Sequence, residues 1–541
     1  MKKVISILEN KWVSAFCLIA AIANRTINIL FVSYAGRDKM IGVMQSKSFL
    51  EGKSFVIPQY FFTAPDQVVY DATPYWPPGY PLFLSPFLKL FSFDIYQATT
   101  AFDWVFAIIL IFLIRKLLRV LDFNNAAITI GTLIAGCFEY TFISESLPTD
   151  LPALVFLVAA FILVIRSLKN TASRPGYWVL AGLFLFLPNL FRYAYPAITI
   201  GVPAGILLLG FMNKDKAVRI RGWVMLSTAL ACMALFFLYM KYSTGMSNYA
   251  LPTERGIFPG NLLHWHPSAP ASFINIAFLS SQVILRLGIS LSILLSVLEW
   301  VNILVWALLA GWLAWLFFLQ NYFRTMDPWK WFVWLGAISV GGILFSLGYL
   351  SLTYKMQQGF VGGWNYIYES RYYAFVFLFL QFLFLKGLLQ GKGWQRWPVI
   401  AAGLLLFIEI GHNIYFHTKV ALRFNEYKQA VYREQDYNLF GKLLDELKRS
   451  DTGADIIVTS YKDNYYPYTA IYHGHKGFMD ARSLLQSMPV VKKKTILVLV
   501  LYSEDVPAFQ TVLARKNVRE WGRFEYTRFY IVDLGGGDDT N

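Results

Sequence analysis

The chain has 541 residues, 56% of them hydrophobic and 18% aromatic, only 15% charged, with a formal net charge of +15. Its mean hydropathy of +0.47 excludes an ordinary water-soluble protein. Several stretches reach the roughly 20 apolar residues that a helix needs to cross about 30 Å of hydrocarbon. The positive charge does not point to nucleic acid, because the Lys and Arg residues sit in short runs between apolar segments, where they set topology.

In chain order, the first apolar run, 12–34, lacks a small-residue cleavage site and is long enough to span, so it is expected to be a transmembrane helix. Near its middle Asn24, Arg25 and Asn28 can all face a bundle interior, either as a functional cluster or as a structural ion pair. Further spans are expected at 99–115, 125–143, 150–166, 177–191, 196–212, 222–240, 299–319, 329–351, 372–390 and 397–416, eleven in all with the first. Residues 271–298, with Arg286 in their middle, are expected to lie on the membrane rather than cross it.

The basic runs "MKK", "RKLLR", "RSLKNTASRPG", "KDKAVRIR", "RTMDPWK" and "KGLLQGKGWQR" all fall on one side if the amino terminus is cytoplasmic. That orientation puts the first loop, 35–98, and the carboxy-terminal region on the outer face. From about 420 an amphipathic helix over 424–450 and strands in "ADIIVTS", "KTILVLVL" and "RFYIVDL", with "VPAFQTVLARKN" helical, predict a small α/β domain. The expected organisation is therefore a polytopic α-helical membrane domain, 1–419, of about 11 transmembrane helices, followed by an extracytoplasmic α/β domain, 420–541.

Cys17, Cys137 and Cys232 all lie in apolar spans, far apart, and predict no disulfide framework. The pairs His264/His266 and His473/His475 lack a Cys or carboxylate at a spacing that completes a metal site.

The polar residues at the outer ends of the spans are the candidates for chemistry. Asp38, just past the first span, is either the N-cap of a helix lying along the interface, with Ile41, Met44, Ser48 and Phe49 near one face, or a general base at the lipid–water boundary. "TPYWPPGYP", 73–81, is stiffened by prolines into a non-helical path, with Tyr75, Trp76 and Tyr80 as stacking or anchoring surfaces of a cavity. Glu145 and Asp150 occupy the short second outer loop. Asp150, followed by Pro152, suits a helix start, whereas Glu145 has no such structural role. Arg192 and Arg371, each followed by a tyrosine, Tyr193 and Tyr372, can snorkel to headgroups or bind a phosphate.

Asp38, then "PYWPPGYPLFLSPFLKLF", "SESLPTDLPALVFL", "FRYAYP" and "ESRYYAF", in that order, resemble the glycosyltransferase C superfamily. Within it they are similar to bacterial relatives of the dolichyl-phosphate-mannose protein mannosyltransferases and of the lipid A aminoarabinose transferase. The resemblance covers most of the membrane region and none of the last 120 or so residues. It implies a GT-C-like enzyme of the bacterial inner membrane that moves a sugar from a polyprenyl-phosphate donor to a lipid, glycan or protein acceptor. It also implies that Asp38 is the catalytic carboxylate. Many relatives carry Asp-Glu here while this chain has Asp38-Lys39, so a second acid would have to be Glu145 or Asp150.

The residue chemistry agrees with that expectation. A lipid phosphate leaves readily if cations stabilise its charge, as Arg192 and Arg371 with their tyrosines could, and a base must take the proton of the attacking hydroxyl. Acids at the site permit Mg²⁺ or Mn²⁺, but no ligand pattern demands one. The alternative expectation, a transporter or flippase of lipid-linked sugars, would need charges at mid-membrane, broken helices and related halves, and only Arg25 points that way.

Overall fold

The computed structural model describes residues 6–31, 37–71, 77–137, 149–170, 174–193, 195–244, 256–259, 300, 304, 307–308, 310–311, 314–315, 323, 326–353, 373–390, 410–411, 414–415, 418–419, 421–422, 435–450, 453–461, 465–478, 481–524 and 527–535. The chain divides into two compact units. One comprises Met1–Val32 and Asp103–Phe424, the other Ser33–Phe102 and Asn425–Asn541. The expected first loop thus groups with the carboxy-terminal residues rather than with the membrane helices.

The first unit is helical. Its helices are α1 (Lys11–Phe31), α4 (Ile95–Val120, which contains the division at 102/103), α5 (Asn125–Cys137), α6 (Asp150–Lys169) and α7 (Pro175–Phe186). They are followed by α8 (Pro196–Met212), α9 (Lys216–Thr244), α10 (Pro328–Thr353) and α11 (Ala374–Gln390). Nine of the eleven expected spans thus coincide with helices among the described residues, while most of 299–319 and 397–416, and all of 271–298, lie outside them. Among the described residues, four helices are long and apolar enough to cross a membrane: Lys11–Leu30, Asp150–Lys169, Lys216–Ser243 and Pro328–Tyr349. Phe16, Ile19, Leu235 and Phe345 are exposed on them, the distribution expected where lipid is the solvent.

Local sequence explains the helix starts and crossings. Pro175 and Pro196 stand in the first turns of α7 and α8, where a missing N–H costs nothing. Hydroxyls inside the apolar helices bond back to carbonyls one turn earlier, as Thr26 Oγ1 does to Ile22 (2.9 Å) and Ser339 Oγ to Leu335 (2.8 Å). Small residues let the backbones approach. A Cβ at Gly136 of α5 would fall 2.3 Å from the Ala21 Cβ of α1, and one at Gly182 of α7 would fall 2.6 Å from the Met225 carbonyl oxygen of α9.

The second unit begins with α2 (Arg37–Leu50), the antiparallel hairpin β1 (Ile57–Phe61) and β2 (Ala64–Asp71), and α3 (Gly79–Leu90). Ile41, Met44 and Ser48 of α2 are buried as one face would be, but so are Met40, Val43, Gln45 and Ser46, so the helix is enclosed rather than lying along an interface. Its neighbours are α3 and α13 (Tyr465–Tyr472). Gly42 makes the approach to α3 possible, since a Cβ there would fall 2.3 Å from the Tyr80 ring. Of the proline-stiffened segment, 72–76 lie outside the described residues, and the rest departs from the expected non-helical path. Pro78 caps α3, and Tyr80 and Pro81 are already in its first turn, a position proline tolerates.

The carboxy-terminal part is an α/β layer. After α12 (Gln435–Ser450) come β3 (Asp455–Ser460), α13, β4 (Lys476–Phe478), β5 (Thr495–Tyr502), a 3-10 turn (Val506–Phe509), α14 (Gln510–Leu513), β6 (Val518–Phe524) and β7 (Thr527–Asp533). The sheet order is β4-β3-β5-β7-β6, with β4, β3 and β5 parallel and β7 and β6 antiparallel. Both faces are covered, which is why "TILVLVLY" reads as a continuous apolar run. On one face Ile457, Leu499 and Leu501 pack with Phe509 and Val512, and on the other Phe440 of α12 meets Tyr466 at 5.1 Å and Phe529 at 5.6 Å between ring centroids.

Candidate active site

α6 starts at Asp150. Thr149 occupies the N-cap without a side-chain cap bond, and Pro152 fills the first turn. A carboxylate at this end meets the positive pole of the helix. At the end of α7 the chain tightens into the 3-10 turn Leu187–Leu190, whose Pro188 carbonyl accepts from the backbone N–H of Arg192 at 3.0 Å. Asn189 locks this turn to the start of α8, its amide donating to Thr199 Oγ1 (2.7 Å) and to the Phe186 carbonyl (2.8 Å).

The turn delivers Arg192 Nε to 3.1 Å from Asp150 Oδ1, with the two side chains only 8% and 5% exposed. Three residues on, buried Tyr195 caps α8. Its phenol is pushed well up, first by burial and next by the Asp150 charge, with Arg192 acting in the opposite direction. A carboxylate, a guanidinium and a neutral phenol therefore share one dry corner at the ends of α6, α7 and α8. Chemically, the arrangement fixes the plane of a cation in a low-dielectric setting, where its field on an anion is stronger than in water.

The other expected site residues separate into distinct groups. Tyr193 packs on the apolar cluster of Phe186, Met233, Phe236 and Met240, so the tyrosine at the pair is Tyr195. Tyr80 is 1% exposed and lies edge-on to Phe102 at 5.1 Å, a packing role within the second unit rather than a cavity surface. Asp38 belongs to α2, but its side chain, like Tyr75, Trp76, Glu145, Arg371 and Tyr372, lies outside the described residues. Asn24, Arg25 and Asn28 are buried as expected, with Arg25 Nη1 donating to Asn28 Oδ1 (3.1 Å) and Asn24 Nδ2 to the Gly136 carbonyl (2.9 Å).

Two charged residues were not singled out from the sequence. Asp103 of α4 is 1% exposed, and an acid within the apolar run "FDWVFAIIL" was the available signal. Arg221 of α9 is buried against the far end of α6, with Nη1 donating to the Ser167 carbonyl at 2.9 Å, where a cation complements the helix dipole.

Among the described residues no group of three or more His, Cys, Asp or Glu is placed to hold a metal ion, and Asp150 is committed to Arg192. His264 and His266 lie outside the described residues, and buried His475 faces Asp445, Nε2 to Oδ1 3.5 Å. The three cysteines are free thiols.

No family model and no curated protein matches the sequence. Among solved structures, the chain is similar to ArnT from Cupriavidus metallidurans bound to undecaprenyl phosphate. The identity there is 11%, over 96% of this chain and 97% of that one, with a TM-score of 0.45. The apo state of the same protein gives 13% identity and a TM-score of 0.46 over the same shares. The chain is also similar to the Archaeoglobus fulgidus oligosaccharyltransferase in complex with Zn and sulfate, at 15% identity over 93% of this chain and 70% of that one, with a TM-score of 0.46.

Proposed function

We propose that the chain is an integral-membrane glycosyltransferase that moves a hexosyl or pentosyl group from a polyprenyl-phosphate donor to a hydroxyl of a lipid, glycan or protein acceptor on the outer face of the bacterial inner membrane. The buried Arg192–Asp150 pair is the observation that supports this reading most directly. It holds a guanidinium in fixed orientation where the motif order calls for a cation at the donor phosphate. The amino terminus is cytoplasmic in this reading, and the carboxy-terminal α/β domain is extracytoplasmic.

In the reaction the acceptor oxygen forms a bond to the anomeric carbon while the bond from that carbon to the phosphate oxygen breaks. The electron pair leaves with the polyprenyl phosphate, and Asp38 takes the acceptor proton. A single displacement of this kind inverts the anomeric centre. Arg192 and Arg371 stabilise the charge gathering on the phosphate, with Tyr195 taking the part expected of Tyr193, and Tyr372 following Arg371. Asp150 acts by positioning Arg192, and Glu145 is the acid left to assist Asp38. Tyr75 and Trp76 remain the proposed aromatic surfaces for acceptor or sugar. A divalent ion, Mg²⁺ or Mn²⁺, has a place only if Asp38 and Glu145 supply its ligands.

The test is transfer of labelled sugar from polyprenyl-phosphate donors onto envelope lipids and glycans by the purified chain, wild type against Asp38→Asn. A loss of about 10²–10⁴-fold is expected when a general base is removed. Equal rates in both would take Asp38 out of the mechanism. Movement of lipid-linked sugar across proteoliposomes with no transfer at all would favour the transporter reading, for which buried Arg25 and Asp103 in the helices speak.

A further inference from the structure

The backbone path between α7 and α8 delivers Arg192 to Asp150, and a residue with no part in the proposed chemistry directs that path. Asn189 stands in the turn Leu187–Leu190 and is 3% exposed. Its amide donates to the Phe186 carbonyl (2.8 Å) and to Thr199 Oγ1 of α8 (2.7 Å). The Thr199 hydroxyl in turn donates to the Leu185 carbonyl at 2.8 Å. One hydrogen-bonded chain thus joins the last turn of α7, the 3-10 turn and the first turn of α8. Past the turn, the fully buried Phe191 ring stacks on Phe156 of α6, with 5.5 Å between centroids and 23° between planes.

Two anchors therefore flank Arg192, a ring against α6, which begins at Asp150, and an amide against α8. The ring contact sets how near the turn comes to α6. The amide sets how the turn is rotated, because hydrogen bonds are directional and apolar contacts are not. An amide is a costly choice at this place. Asn189 Oδ1 is buried with no hydrogen-bond partner among the described residues, and a leucine, which has the same branched shape, would carry no such penalty. What the amide supplies is orientation.

We infer that Asn189 is a positioning residue for the donor phosphate. By setting the rotation of the turn it aims the Arg192 guanidinium, without touching the substrate itself. The inference rests on the proposed reading of Arg192 as the cation at that phosphate.

Native mass spectrometry of the full chain released from detergent tests it, with undecaprenyl phosphate as probe and undecaprenol, the same lipid without the charge, as control. Asn189→Leu and Thr199→Val should each weaken undecaprenyl phosphate about tenfold, as expected when a charged contact is misdirected, and leave undecaprenol unchanged. Thr199→Ser, which keeps the hydroxyl, should bind as the wild type does. In an Arg192→Met/Asp150→Leu background, which strands no charge, the phosphate should already bind no better than undecaprenol, and Asn189→Leu should lower it no further. A residue that merely ties two helices together would weaken both ligands alike. The inference is overturned if Asn189→Leu binds undecaprenyl phosphate as the wild type does, if undecaprenol falls in step with it, or if the losses add in the background variant. Wild-type affinity in the background variant itself would overturn the reading of Arg192, and the inference with it.

Discussion

Arg192 Nε lies 3.1 Å from Asp150 Oδ1, and the two residues, 42 positions apart, are buried together where α6 begins and the turn after α7 ends. Removing one partner strands a charge out of water. Arg192→Met or Asp150→Leu alone should therefore destabilise the chain by about 3–5 kcal/mol, whereas the double variant should recover most of that. Thermal unfolding in detergent reads the stability cycle. Sugar transfer measured on the same samples should stay lost in the double variant, because refilling the space does not restore a cation.

Gly136 makes a sharper packing prediction. Its added Cβ would meet the Cα of Ala21 at 2.5 Å as well as its Cβ, and backbone cannot step aside as a flexible side chain can. Gly136→Ala should cost about 1–3 kcal/mol, and adding Ala21→Gly should return part of it. Additive melting-temperature losses in the double variant would mean that the two helices do not meet there.

The second unit carries a pH dependence. Burial, only partly offset by the Asp445 carboxylate and reinforced by Lys448 and His473, holds the His475 imidazole below its ordinary 6.5. The folded state thus disfavours the protonated ring. The stability this group contributes is full above about pH 6.5 and is lost as pH falls toward the lowered folded value. Acidification should therefore speed amide exchange across 465–478. Asp445→Asn should make the loss steeper, and His475→Gln should remove it.

Arg221 offers a test away from any chemistry. Arg221→Met withdraws the donor to the Ser167 carbonyl and the cation at the end of α6, and should cost about 1–3 kcal/mol. Sugar transfer per folded molecule should be unchanged.

Legibility from sequence followed the strength of each local signal. β3, β5 and β7 were readable because buried strands leave unbroken apolar, β-branched runs. The hairpin β1–β2 was not, because Pro58 and Pro65 argue against strand, and edge strands are where proline is tolerated. Asp150 and Arg192 were each recognisable as polar groups at span ends, but nothing local pairs residues across two helices. In "RYAYP" the choice between Tyr193 and Tyr195 depends on a turn. Pro196 starts α8, makes Tyr195 its cap and turns Tyr193 onto the Phe186 cluster instead. The enclosure of α2 was hidden for a related reason, since its partners Tyr80 and α13 are distant in sequence and its pattern alone resembles a helix with one wet face.

That enclosure has a consequence for biogenesis. The Lys47 ammonium donates to the Tyr472 carbonyl, the Tyr472 hydroxyl to the Phe93 carbonyl at 2.7 Å, and Lys476 to Asp66 at 2.6 Å, across separations of 425, 379 and 410 residues. The segment 33–102 therefore leaves the ribosome well before its partners at 465–478, and until those are made α2, with Met40, Val43 and Met44, has α3 but not α13 to cover it. A stop codon before residue 425 would not trim an appendage; it would leave 33–102 without the remainder of its folding unit.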